Sequence, residues 1–85
     1  MLNSYNYRHL YYFWVVAKEG SMSGAAQRLN IATQTISAQV HELEKSLGYL
    51  LFKPSGRGII LTDSGLVALE IADQIFSIGE KLPEA

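Results

Sequence analysis

The 85-residue chain has no cysteine at all, so disulfides and thiolate metal sites are excluded. Its two histidines, His9 and His41, are too few and too far apart for an ordinary zinc site, and no metal or cofactor is expected. Proline occurs only twice and tryptophan once, and there is no low-complexity segment or internal repeat. No apolar run approaches the roughly 18 residues of a membrane span, and the N-terminus lacks the basic-then-apolar order of a signal peptide. A cytoplasmic protein without membrane contact is therefore expected. No nucleophile elbow, zinc-binding His-Glu pair with a second His, or catalytic cysteine is present, so the sequence supports no enzyme. A chain this short holds one small domain whose core is marginal alone, which leaves oligomerisation as the source of further stability.

The net charge of −1 is small, but it is unevenly placed. Residues 1–61 sum to +3 and residues 62–85 to −4, a mildly basic head joined to an acidic tail. That division allows nucleic-acid binding without requiring it.

Helical spacing of Leu10, Phe13, Trp14 and Ala17 predicts a first helix over Tyr7 to Lys18, stopped by Gly20. Ser21 is placed to cap a short second helix with Met22, Ala25, Ala26 and Leu29 on its buried stripe. The small Ala25 and Ala26 permit the close helix approach that a helix-turn-helix needs, with Asn30, Ile31 and Ala32 as the turn. A third helix follows from Thr33 to Leu47, ended by Gly48. On it Ile36, Val40, Leu43 and Leu47 fall within a ~60° sector, and Gln34, Ser37, Ala38, His41 and Lys45 lie opposite.

The period then changes. Tyr49–Lys53 and Gly58–Leu61 read as two short strands, with Pro54, Ser55, Gly56 and Arg57 as the turn, which makes a wing. Thr62 caps a last helix reaching to about Gly79. Its apolar residues Val67, Ala68, Leu69, Ile71, Ala72, Ile75, Phe76 and Ile78 cover an arc of roughly 200°, wider than the ~100° that one core requires. The surplus calls for a partner, and a two-fold homodimer is the simplest one.

The expected fold is thus mainly α: a winged helix-turn-helix of three helices and a two-stranded wing in residues 1–61, then a linker and dimerisation helix with its tail in 62–85. In such a fold the start of the second helix of the motif enters the major groove, where Gln can bond adenine and Ser or Thr several base edges. Thr33, Gln34, Thr35 and Ser37 occupy that start. An ordinary solvated helix face has the same pattern. Lys53, Ser55 and Arg57 suit phosphates or the minor groove, although a Gly-Arg-Gly tip is also simply a good hairpin turn. The aromatic run Tyr5, Tyr7, Tyr11, Tyr12, Phe13 and Trp14 is better suited to a core or a dimer seam than to base stacking. His41 has no metal partner one turn away and suits a phosphate or base contact, or plain exposure.

Leu10, Phe13, Val16, Gly20, Ser21, Ala25, Ala26, Leu29, Ser37, Gln39, Leu43, Glu44, Leu47, Gly48, Leu51, Phe52, Arg57, Gly58, Leu61, Thr62 and Gly65 together resemble the N-terminal signature of LysR-type transcriptional regulators. The resemblance implies a sequence-specific binder of an operator in double-stranded DNA, with the third helix in the major groove and the linker helix pairing antiparallel with its twin. It implies Thr33, Gln34, Thr35, Ser37 and Ala38 at the bases, and Ser21, His41, Lys53, Ser55 and Arg57 along the backbone. Val67, Ile71, Ile75, Ile78 and Tyr12 would form the dimer seam. Family members continue into a two-lobed effector domain, so a fragment that does not itself sense a small-molecule inducer is expected. The common family run Ser-Gln-Pro-Ala-Val-Ser reads here Ala32, Thr33, Gln34, Thr35, Ile36, Ser37, which displaces the glutamine by one position. Ala38 stands where the family often has Arg, and His41 where it often has a basic residue. Tyr11 to Trp14 and Gln34 to Ile36 resemble the subgroup that activates a sodium/proton antiporter gene. The rival reading is a winged-helix protein-interaction module that does not bind DNA.

Overall fold

The computed structural model describes the backbone of residues 6–81 and the side chains of residues 6–77. Four helices and one hairpin follow in order: α1 (Tyr7–Glu19), α2 (Met22–Leu29), α3 (Thr33–Leu47), β1 (Phe52–Ser55), β2 (Gly58–Leu61) and α4 (Asp63–Lys81).

Helix ends are set by local chemistry. Asn6 caps α1 by accepting from the Arg8 N–H, and Gly20 ends it at φ 81°. Ser21 Oγ accepts from the Gly24 N–H at 2.9 Å, so the cap expected at α2 is formed. Asn30 closes α2 in the left-handed region at φ 58°, which asparagine tolerates better than most non-glycine residues. Ala32, lacking a polar side chain, gives α3 no side-chain cap.

Helix α1 lies at the centre, packing against α2, α3 and α4. This explains a difference from the amphipathic expectation. Leu10, Phe13 and Trp14 are buried as their spacing predicts, but Val15 and Val16 are buried too, whereas Ala17 is only half-buried. A helix covered on several sides has no clean polar face. Ile36, Val40 and Leu43 of α3 complete the core with Ala25, Leu51 and Ala72, while Leu47 sits half-buried at its margin.

The first strand is not at Tyr49–Lys53 but at Phe52–Ser55, and the turn shrinks to Gly56-Arg57. Two interactions cause the shift. Leu51 is fully buried, and the Glu44 carboxylate accepts from the N–H groups of Leu51 at 2.8 Å and Phe52 at 3.3 Å, so this segment serves the core rather than a ladder. A two-residue loop with a positive φ only at its first residue, Gly56, then matches a type II′ turn. Ser55 pairs with Gly58, Pro54 with Ile59, Lys53 with Ile60 and Phe52 with Leu61. Pro54 falls between the hydrogen-bonded pairs of this antiparallel ribbon, where a missing N–H costs little.

Glu44 therefore joins the end of α3 to the wing. Glu44→Ala leaves the buried Leu51 N–H without an acceptor and is expected to cost about 1–3 kcal/mol, with Glu44→Gln retaining part of it. Urea-unfolding midpoints of the three proteins check this.

Helix α4 is fastened at two places. Thr62 Oγ1 donates to the Leu50 carbonyl at 2.7 Å and accepts from the Gly65 N–H at 2.9 Å, and the Thr62 N–H donates to the Leu51 carbonyl at 3.0 Å. Gly65 is buried, and a Cβ there would overlap the Leu51 carbonyl oxygen. Further along, Asp73 Oδ1 accepts from Trp14 Nε1 at 2.8 Å and meets Lys18 Nζ at 2.8 Å. Tyr11 and Trp14 lie against Phe76, with ring centroids 5.3 and 5.6 Å away. The aromatic run thus packs α1 onto α4, as expected for Tyr11 and Trp14, while Phe13 meets Phe52 of the wing. Tyr7 is exposed, and Tyr5 lies outside the described residues.

The bonds from Lys18 and Trp14 hold the Asp73 carboxyl below the ordinary carboxylate range. A group whose pKa is lowered on folding stabilises the fold above its unfolded pKa, and that contribution disappears as pH falls through the folded value. Wild type is accordingly expected to melt above Asp73→Asn at pH 6, with the gap closing below about pH 4. Melting curves across that range test the sign.

Candidate nucleic-acid interface

With Ile36 and Val40 sealed in the core, the opposite side of α3 faces outward. Thr33, Gln34, Thr35, Ser37, Ala38 and His41 are all exposed. None of the six is fixed by packing, which is what a helix face that meets a ligand requires. At the start of α3, Ser21, Met22, Ser23, Thr33, Arg57, Gly58 and Ile59 line an open cleft of about 300 Å³. The N-termini of α2 and α3 and the tip of the wing therefore converge on one side of the molecule.

The structure brings together most of the residues singled out in the sequence. Ser21, Thr33 and Arg57 border the cleft, and Gln34, Thr35, Ser37 and Ala38 continue from it along α3. Ser21 is half-buried with its Oγ already used as a cap, so its part here is to hold the α2 terminus in place. Lys53 and Ser55 are exposed and leave the ribbon on the side opposite Phe52, since alternate strand residues face opposite ways. His41 stands apart from the cleft. It borders a second opening of about 280 Å³ with Lys45, Tyr49 and Leu50, and its Nδ1 lies 3.5 Å from Glu44 Oε1.

Net positive charge is carried by the wing, through Lys53 and Arg57, rather than by α3. Helix α3 has no arginine, and its single lysine, Lys45, faces Glu42 at 3.6 Å. Arg28 pairs with Glu19 at 3.2 Å and lies 5.6 Å over the Trp14 ring. Among the described residues no group of three or more His, Asp or Glu side chains is placed to hold a metal ion, and no helix is long and apolar enough to cross a membrane.

Sequence reasoning missed Glu44 as an organising residue, and also Met22 and Ser23 as cleft walls. A signal for Glu44 was available. It follows Val40 by one turn and Leu43 by one residue, on the apolar side of α3, and a carboxylate in that position must find N–H groups.

Residues 7–66 match the family described as "Bacterial regulatory helix-turn-helix protein, lysR family". The chain belongs to the LysR family. Its LysR relatives include the transcriptional activator protein NhaR of Escherichia coli (strain K12), 44% identical over 91% of this chain and 26% of that protein. Among solved structures, the CbnR DNA-binding domain in complex with DNA superposes with a TM-score of 0.80 at 38% identity, covering 94% of this chain and 92% of that one. The BenM DNA-binding domain bound to a catB site gives a TM-score of 0.83 at 31% identity, over 94% and 89%. The 85 residues are thus a LysR helix-turn-helix DNA-binding domain with a two-stranded wing. They span about a quarter of the length of the curated relatives, which are transcriptional regulators rather than enzymes.

Proposed function

We propose that this chain binds an operator in duplex DNA as a homodimer, and that it does so in the cytoplasm. Each protomer puts Thr33, Gln34, Thr35, Ser37 and Ala38 at base edges in the major groove, with His41, Lys53, Ser55 and Arg57 along the phosphates and Ser21 acting on the backbone through the α2 terminus that it caps. The observation that carries the reading is the exposure of Thr33, Gln34, Thr35, Ser37 and Ala38 at the start of a helix whose Ile36, Val40 and Leu43 are buried, beside a cleft that includes Arg57. The likeness to two DNA-binding domains solved on DNA supports it.

Residues 1–61 form the DNA-binding unit in this reading, and 62–85 the linker and dimer helix. Val67, Ile71 and Ile75 are 58%, 52% and 39% exposed at four-residue intervals along α4, while Ala72 is buried and Ala68, Leu69 and Phe76 pack on the core. An apolar row of that kind favours a twin helix. Tyr12, half-buried beside Tyr11, is assigned to the same seam, as is Ile78, whose side chain lies outside those described. Response to a small-molecule inducer belongs to an effector domain outside these 85 residues.

Duplex binding measured against salt separates this reading from a protein-interaction module. Binding that falls linearly in log K against log salt, with a slope of several phosphates, is expected. Absence of duplex binding at low salt would favour the interaction module. Sedimentation with and without duplex tests the dimer.

A further inference from the structure

Two directional attachments fix the axis of α4 relative to the helix-turn-helix. The first is the Thr62–Gly65 joint on the Leu50 and Leu51 carbonyls, and the second is Asp73 on Trp14 and Lys18. They are separated by eight residues, about 12 Å of helix at 1.5 Å per residue. Between and beyond them α4 meets the body through Ala68, Leu69, Ala72 and Phe76, apolar contacts that hold distance but tolerate rolling and tilt. Trp14 is itself oriented from outside, because the Arg28 guanidinium lies over its ring and Glu19 holds that guanidinium. The second attachment thus reaches from α4 through α1 to the end of α2.

We propose that Asp73 is a positioning residue that sets the spacing of half-sites this protein accepts. The proposal rests on the α4 dimer described above. A slip of 1 Å at Asp73 over a 12 Å arm tilts α4 by about 5°. Recognition helices in two-fold complexes sit about 34 Å apart, so that tilt moves each by about 1.5 Å and the pair by about 3 Å. One base-pair step is about 3.4 Å. Loosening this attachment therefore blurs the measured distance by nearly a base pair, while α3 and the wing, which no hydrogen bond or ion pair joins to Asp73 or Lys18, keep their half-site chemistry.

The test starts from a duplex selected out of a random library by the 85-residue chain, with one or two base pairs then inserted or removed between its half-sites. Wild type is expected to lose about tenfold or more in affinity per base-pair change, the scale of one lost base contact. Asp73→Ala is expected to bind all spacings within about threefold of one another, at the same affinity as wild type for a single half-site. Asp73→Asn keeps an acceptor for the indole N–H but loses the ion pair and should fall between, as should Lys18→Gln; these two carry the test if the alanine variant does not fold. A spacing profile in the folded variants identical to that of wild type overturns the proposal. A wild-type chain that selects no two-fold site, or sediments as a monomer on DNA, overturns the dimer and the spacing role together, an outcome distinct from the preceding one.

Discussion

Gly65→Ala is expected to lower the stability of the domain by about 2–4 kcal/mol, combining overpacking with the loss of a hydrogen bond. The added Cβ would meet the Leu51 carbonyl oxygen, and that carbonyl cannot retreat, because the Thr62 N–H donates to it and the Leu51 side chain is fully buried. A domain of this size has only about 4–13 kcal/mol in total, so the variant should lose a large part of its urea-midpoint stability. Gly58→Ala is the control. Its nearest neighbour would be the Ser55 carbonyl oxygen at 4.0 Å and its φ is not positive, so a change within about 0.5 kcal/mol is expected. Equal midpoints for the two variants would show that α4 does not approach the Leu51 backbone as closely as described.

Gln34→Ala is expected to cost about 1–3 kcal/mol on the selected operator and to relax specificity at one base pair, leaving non-specific duplex binding unchanged. The reason is positional. Gln34 is exposed in the first turn of α3, on the side opposite the core-facing Ile36, which fixes the helix but not the amide. Arg57→Ala, at the wing tip, should instead weaken all sequences alike and flatten the salt slope by about one. If Gln34→Ala weakened every duplex equally, the side chain would be contacting the backbone rather than a base.

The parts legible in the sequence were those set by periodicity and by single capping residues. Ile36, Val40 and Leu43 repeat at helical spacing, and Ser21, Gly20 and Gly48 each end or begin a helix where their chemistry allows. The exposure of Gln34, Ser37, Ala38 and His41 followed directly as the complement of that stripe, whereas Thr33 and Thr35 were named for their place at the start of the helix. What the sequence did not show were features created by tertiary contact. Tyr49–Lys53 is β-prone by composition, yet Glu44 takes its amides and the core takes Leu51, so the strand begins later. Val15 and Val16 are buried because three other helices cover α1, which no local pattern records. Asp73 belongs with these. In the sequence it was one acidic residue in an acidic tail, 59 positions from Trp14, and only the packing of α4 across α1 gives it partners.

The acidic tail has a second consequence for function. By sequence, residues 62–85 hold the excess negative charge, whereas Lys53 and Arg57 lie on the wing and Arg57 borders the cleft at the starts of α2 and α3. A chain with net charge −1 can therefore still present the exposed Lys53 and Arg57 to phosphates.

The most direct measurement is amide chemical-shift mapping of the chain titrated with its selected duplex. The largest changes are expected at Thr33, Gln34, Thr35, Ser37 and Ala38 and at the wing tip from Ser55 to Gly58. Changes centred on Tyr49, Leu50 and α4, with the outer row of α3 unmoved, would contradict the proposed binding mode.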